Sequence, residues 1–186
     1  MSSPSIAIPN VSEGRDKQLI QDLREAAERD GARVVYVHSD GAHNRSVFTV
    51  AGTDDELVAA AAALAHACLA IDLVSHSGVH PRLGALDVYP FVVQDEPDAS
   101  IASAQRAAET IWESARVPVY LYGLAARRST TRHLPDVRRG GLIELARRAR
   151  SELPPDVGDP HIDPRRGVVC VGARPPLVAF NVWVRA

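Results

Sequence analysis

The sequence predicts an α/β fold: an α+β two-layer sandwich with a ferredoxin-like βαββαβ core, a mixed sheet, and further helices and strands beyond that core. Three observations carry this prediction. Apolar residues recur at helical spacing in some stretches and alternate or run together in others. Gly, Pro, Asn and Asp separate those stretches. The resulting order up to Val93 is β-α-β-β-α-β, in which two helices cover one face of a mostly antiparallel sheet.

Ser5-Ile6-Ala7-Ile8 reads as a short strand stopped by Pro9-Asn10, and a helix follows from Asp16 to Asp30 with Leu19, Ile20, Leu23 and Ala27 on one side. Gly31 ends that helix. Val34 to Val37 is a second strand and Arg45 to Ala51 alternates as a third, and the intervening His38 to Asn44 makes them a hairpin. Thr53 with Glu56 three residues on forms a capping box, and Leu57, Ala60, Ala61, Leu64, Cys68 and Ile71 mark the buried stripe of a long helix. Leu86 to Val93 is the next strand, and Pro90 within it argues for an edge position or a local distortion. A helix from Ser100 to Ala115, a strand from Val117 to Tyr122, a helix from Leu142 to Arg150 and strands at Val168 to Val171 and Leu177 to Val184 extend the core.

The chain of 186 residues is 46% hydrophobic, enough for one well-buried core, and is read as one domain spanning 1–186. Its formal net charge of −2 gives no overall footprint for nucleic acid or an anionic membrane. Lys17 is the only lysine, so arginine abundance by itself is discounted and arginine position is weighed instead. No signal peptide and no apolar run of about 18 residues is recognisable, so a cytoplasmic protein is expected. Cys68 and Cys170 read as small buried hydrophobes in a reducing compartment.

The stretch Ser77-Gly78-Val79-His80-Pro81-Arg82-Leu83-Gly84 is the strongest candidate for chemistry, because it presents a histidine and an arginine in a loop that runs into an apolar strand. Pro81 biases His80 toward extended backbone and restricts the direction of its imidazole. His80 is therefore the first candidate for a general acid/base. His76 lies four residues before it, but Gly78 and Pro81 oppose a helix there and no ligand set accompanies the pair, so no metal is expected. Arg127, Arg128, Arg132, Arg138, Arg139, Arg147, Arg148 and Arg150 lack interleaved aromatics and read as a solvated face, with steering of an anionic substrate as their best use.

Several ordered segments carry a resemblance. Asn10-Val11-Ser12-Glu13-Gly14, Asn44-Arg45-Ser46-Val47, His80-Pro81-Arg82-Leu83-Gly84-Ala85-Leu86-Asp87, Pro118 to Gly123, Val171 to Arg174 and Ala179-Phe180-Asn181 together resemble the N-terminal subdomain of glutamate formimidoyltransferase, or formiminotransferase. The resemblance implies transfer of a formimidoyl group from N-formimidoyl-L-glutamate to tetrahydrofolate as co-substrate, in one-carbon metabolism and histidine degradation. The family's catalytic histidine falls on His80. Its folate-contacting segment falls on Gly158-Asp159-Pro160-His161-Ile162-Asp163-Pro164-Arg165-Arg166-Gly167, where the two arginines suit an anionic pteroyl-glutamate tail. An acidic residue before the Asn-Arg pair corresponds to Asp40, with His38 as the other candidate for that place.

Such a transfer takes one proton from the accepting amine and delivers one to the departing nitrogen, and a single histidine titrating near neutrality serves both steps. Asp40 would orient the ring, and Arg45 and Arg82 would grip substrate carboxylates; for Arg82, capping of a nearby carbonyl is the competing use. The resemblance also implies a second, C-terminal subdomain that is absent here, so a homo-oligomer or a separate chain is expected to complete the site beside its small-molecule substrates. The alternative is a non-catalytic folate-binding or assembly module that depends on such a partner. A metal-dependent hydrolase is a third and weaker reading.

Overall fold

The computed structural model describes residues 4–94 and 97–177. The first strand is interrupted at Ile8-Pro9, leaving β1 (Ser5–Ala7) and β2 (Asn10–Val11), each pairing antiparallel with both of its neighbours. Helix α1 (Lys17–Glu28) starts where the Asp16 carboxylate accepts the amides of Gln18 and Leu19, and it buries Leu23, Ala26 and Ala27. The hairpin of β3 (Arg33–Asp40) and β4 (Arg45–Gly52) is longer than expected, with His38 to Asp40 inside the first strand rather than in the connection. Helix α2 (Asp54–Ala67) opens on the anticipated Thr53/Glu56 box, and its buried stripe ends in a 3-10 turn at Cys68–Ala70.

Strand β5 (Leu86–Val92) leads to α3 (Pro97–Ala115), β6 (Val119–Gly123), α4 (Leu134–Arg138), α5 (Gly141–Ala149) and β7 (Val169–Arg174). The short α4 and the 3-10 turn before it at Ser129–Thr131 were not anticipated, since neither is long enough to show a period. The expected strand over Leu177 to Val184 and the Ala179-Phe180-Asn181 motif extend outside the described residues. The sheet runs β3, β4, β1/β2, β5, β7, β6, antiparallel as far as β5 and parallel through β7 and β6. The first four places in that order are those of the split βαβ unit, and the sheet is mixed as expected.

Helices α1, α2 and α3 cover one face over a core that includes Phe48, Leu57, Leu64, Tyr89, Phe91 and Ile111. On the opposite face, α4, α5 and the chain that follows them pack Val137, Leu145, Leu153 and Ile162 against Val88, Tyr120 and Cys170. That second cover lies over β5, β7 and β6, so Asn10, Arg45, Val47 and Thr49 are left only half-buried beside it. Cys68 and Cys170 are both free and buried, and burial raises both thiol pKa values far above the usual range. No helix among the described residues is long and apolar enough to cross a membrane.

Pro90 is a correction. Its strand is central, between β1/β2 and β7, and the edge position does not hold. The distortion does: the Pro90 carbonyl accepts from the Ile8 amide at 3.0 Å at the break between β1 and β2. A residue without an N–H is tolerated opposite an interrupted partner.

Candidate functional site

The site begins with an irregularity in β5. Asn10 pairs with Val88 but Val11 pairs with Leu86, so Asp87 is one residue too many on its strand. Such a bulge breaks the strict alternation of side chains. Leu86 and Tyr89 belong to the helix-covered core, Val88 belongs to the opposite cluster, and Asp87 reaches residues of that opposite side.

The Asp87 side chain is 0% exposed, and its Oδ2 accepts from Arg45 Nη1 at 2.6 Å and Arg138 Nη2 at 2.5 Å. Oδ1 accepts the Leu83 amide at 2.8 Å, which ties the histidine loop to the same carboxylate. Arg45 Nε donates to Asn10 Oδ1 at 3.2 Å. One buried carboxylate thus faces two guanidiniums, leaving a local surplus of positive charge suited to an anionic substrate.

His80 lies in an open hollow of about 710 Å³ whose lining includes Leu73, His76, Val79, Arg82 and the start of α5 at Gly141 and Leu142. His80 Nδ1 is 2.6 Å from the Pro81 carbonyl, which can only accept. Nδ1 therefore carries the proton, and Nε2 of the neutral ring is the basic nitrogen. Burial and then the Arg45 charge hold the His80 pKa below its ordinary value, against the opposing pull of the Pro81 hydrogen bond.

Arg82 turns back on its own loop, donating to Gly78 O at 2.6 Å and His80 O at 2.7 Å. It braces the bend that presents His80, which is the carbonyl-capping use weighed from the sequence.

Asp40 makes a turn at the end of the β3 strand. Its Oδ1 accepts the Ala42 and His43 amides, and its Oδ2 lies 2.8 Å from His43 Nδ1. The backbone and side-chain hydrogen bonds from His43 bring its pKa down to about 2. Its carboxylate thus engages His43 rather than the His80 ring. The His43 ring stands edge-on to His80 with 6.1 Å between centroids. His38 is exposed on β3, opposite Val47.

The two histidine loops are fastened together. Ala42 O accepts from Val79 N at 3.2 Å, Asn44 Nδ2 donates to Ser77 O at 3.0 Å, and a Cβ at Gly78 would fall on the His43 carbonyl oxygen. Arg15 also bridges them, through Gly41 O and Ser77 Oγ.

The segment from Gly158 to Gly167 touches α3, the second core and the chain that follows α2. Gly158 lies against the Trp112 ring, Asp159 caps the His161 amide, and Ile162 is buried in the second core. Arg165 pairs with Asp72, and Arg166 donates to Leu69 O at 2.7 Å. Arg165 O accepts from Leu73 N, and Gly167 crosses Gly84 so closely that a Cβ on either would strike backbone. Among the described residues, none of this segment lines the His80 hollow, which it meets through Leu73.

Part of the arginine run is neutralised locally. Arg128 pairs with Asp156, Arg139 with Asp136, and Arg147 with Glu144 and Glu152. Arg138 is the exception that joins the site.

Sequence reasoning did not single out Asp87, Arg138 or His43. A carboxylate inside the apolar run Leu86 to Val93 was the available signal for Asp87, because buried acids demand partners. His43, three residues past Asp40, offered only a weak one.

The sequence matches the family described as formiminotransferase domain, N-terminal subdomain, over residues 5–174. It is 40% identical over 180 residues to the glutamate formimidoyltransferase of Streptococcus pyogenes serotype M1, covering 94% of this chain and 60% of that protein. It is 37% identical over 182 residues to the glutamate formimidoyltransferase of Thermoplasma acidophilum, with the same 94% and 60% coverage. The formimidoyltransferase-cyclodeaminase of Gallus gallus is 37% identical over 180 residues, covering 94% of this chain and 33% of that protein. The chain therefore spans 60% of the length of the two transferases and about a third of the bifunctional protein.

Proposed function

The chain belongs to the family of the formiminotransferase N-terminal subdomain, and on that premise we propose that it transfers a formimidoyl group from N-formimidoyl-L-glutamate to tetrahydrofolate, with His80 as general acid/base. The observation that carries this reading is the chain of contacts by which Asn10, Arg45 and Asp87 are tied, through the Leu83 amide, to the loop whose His80 and Arg82 line the hollow.

The donor set suits these substrates. Both are polycarboxylates, and the Arg45-Asp87-Arg138 group carries one more positive charge than negative charge. The hollow is within the range of small-molecule pockets. Tetrahydrofolate, when bound, supplies the accepting amine. His80 Nε2, neutral because burial and Arg45 disfavour its charged form, takes the proton that this amine loses. Arg45 and Arg138 hold substrate carboxylates, while Arg82 keeps the His80 loop in shape. Gly158 to Gly167 supports the folate side of the hollow through Leu73. Asp40 acts on the His80 side of the site through His43.

The test is turnover of N-formimidoyl-glutamate with tetrahydrofolate by the purified chain, beside His80→Ala with its fold checked by circular dichroism. Transfer that falls by about 100-fold or more in the variant supports the assignment. Equal turnover in both removes His80 from the chemistry. Folate binding without turnover in the intact chain favours the non-catalytic module instead.

A further inference from the structure

We propose that His43 is a second proton carrier of this site, donating from Nε2 to the departing nitrogen while His80 Nε2 accepts from the attacking amine. This rests on the transfer reading above and adds a group that reading does not require. The two rings are anchored alike. Each Nδ1 is held by an oxygen of its own loop, Asp40 Oδ2 at 2.8 Å for His43 and Pro81 O at 2.6 Å for His80, so each Nε2 is the nitrogen left for chemistry. The carboxylate and the carbonyl both fix the Nδ1–H form, and the Asp40 charge accompanies the imidazolium that must form on His43 when it carries a proton.

The loops that carry the two rings, whose centroids are 6.1 Å apart, are fastened to each other. The Ala42-Val79 and Asn44-Ser77 hydrogen bonds and the contact at Gly78 hold the two loops in register. The charges of Arg45, Arg138 and Asp87 act on the His80 ring, while Arg15 and Arg82 brace the two loops.

Protons balance over the cycle. The attacking nitrogen forms its bond to the formimidoyl carbon and gives its proton to His80. The bond from that carbon to the glutamate nitrogen then breaks, and His43 protonates the leaving nitrogen. The proton on His80 returns to His43 through solvent before the next turnover. With two carriers, neither ring has to exchange its proton in the middle of the reaction.

The experiment compares the wild-type chain with His43→Gln and His43→Asn, all checked for fold. His43 acting as the acid predicts a fall in kcat of about 100-fold with KM changed little, and loss of the alkaline limb of the pH–rate profile. The deficit should shrink with a formimidoyl donor whose amine is a weaker base, because such a leaving group needs no proton. A merely structural role would lower all donors alike and keep both limbs, and that result overturns the proposal. Long-range 1H–15N spectra of the wild-type chain supply an independent reading. Neutral His43 must be the Nδ1–H tautomer. An Nε2–H tautomer overturns the pairing. If the folded wild-type chain transfers nothing, the transfer reading itself falls and the role of His43 in it falls too. Wild-type turnover with an unimpaired His43→Gln removes this inference alone.

Discussion

Replacing Asp87 with Asn should expose how much of this site is held by one carboxylate. The substitution keeps the size of the side chain and leaves an oxygen for the Leu83 amide, but removes the negative charge between Arg45 and Arg138. At charge separations of about 4 Å and an effective dielectric near 20, each lost attraction is roughly 4 kcal/mol gross. Burying the carboxylate costs several kcal/mol, and that cost disappears with it. The guanidinium side chains, only 11% and 20% exposed, cannot recover full hydration where they stand. The net destabilisation is therefore about 3 kcal/mol, at the lower end of what breaking a buried pair costs. In urea unfolding followed by circular dichroism, with m of about 2 kcal/mol/M, the midpoint should fall by about 1.5 M. The thermal midpoint should fall by roughly 6–12 °C. Adding Arg138→Met to the Asp87→Asn chain should recover about 1 kcal/mol by removing one stranded charge. A loss under about 1 kcal/mol at unchanged m would refute the reasoning, because Asp87 would then not be the electrostatic centre of the site.

The remaining predictions concern His80 and its loop. Arg45→Gln should raise the His80 pKa, since the Arg45 charge is second only to burial among the causes that depress it. If neutral His80 is the base, activity is lost as pH falls through that pKa, so the acid limb should move to higher pH, and an unmoved limb would break the link. Gly78→Ala should push the added methyl into the His43 carbonyl and part the two histidine loops. It should cost turnover about 10-fold or more while shifting the urea midpoint little, since the contact lies between partly exposed loops; equal loss of stability and activity would count against it.

What the sequence determined by itself is largely local. Asp16 and the Thr53/Glu56 pair start α1 and α2 where capping chemistry predicts, because those hydrogen bonds span only two or three residues. The stripe from Leu57 to Ile71 and the order β-α-β-β-α-β depend on period and punctuation, which survive in one dimension. His80 stood out for the same reason, as its loop is set by neighbours in the chain.

The site around it was decided elsewhere. Arg45 and Arg138 meet Asp87 across sequence separations of 42 and 51 residues, and Asp87 reaches them only because the register slips by one at Val11. Asp40 read as the companion of His80, yet two amides and a ring three residues away were closer partners. Arg165 and Arg166 read as partners for an anionic folate tail, and the fold brings them to Asp72 and to the Leu69 carbonyl in the 3-10 turn after the second helix. A charge pairs with whichever opposite charge or carbonyl the packed chain brings within hydrogen-bond reach. Spacing along the sequence carries no record of that distance.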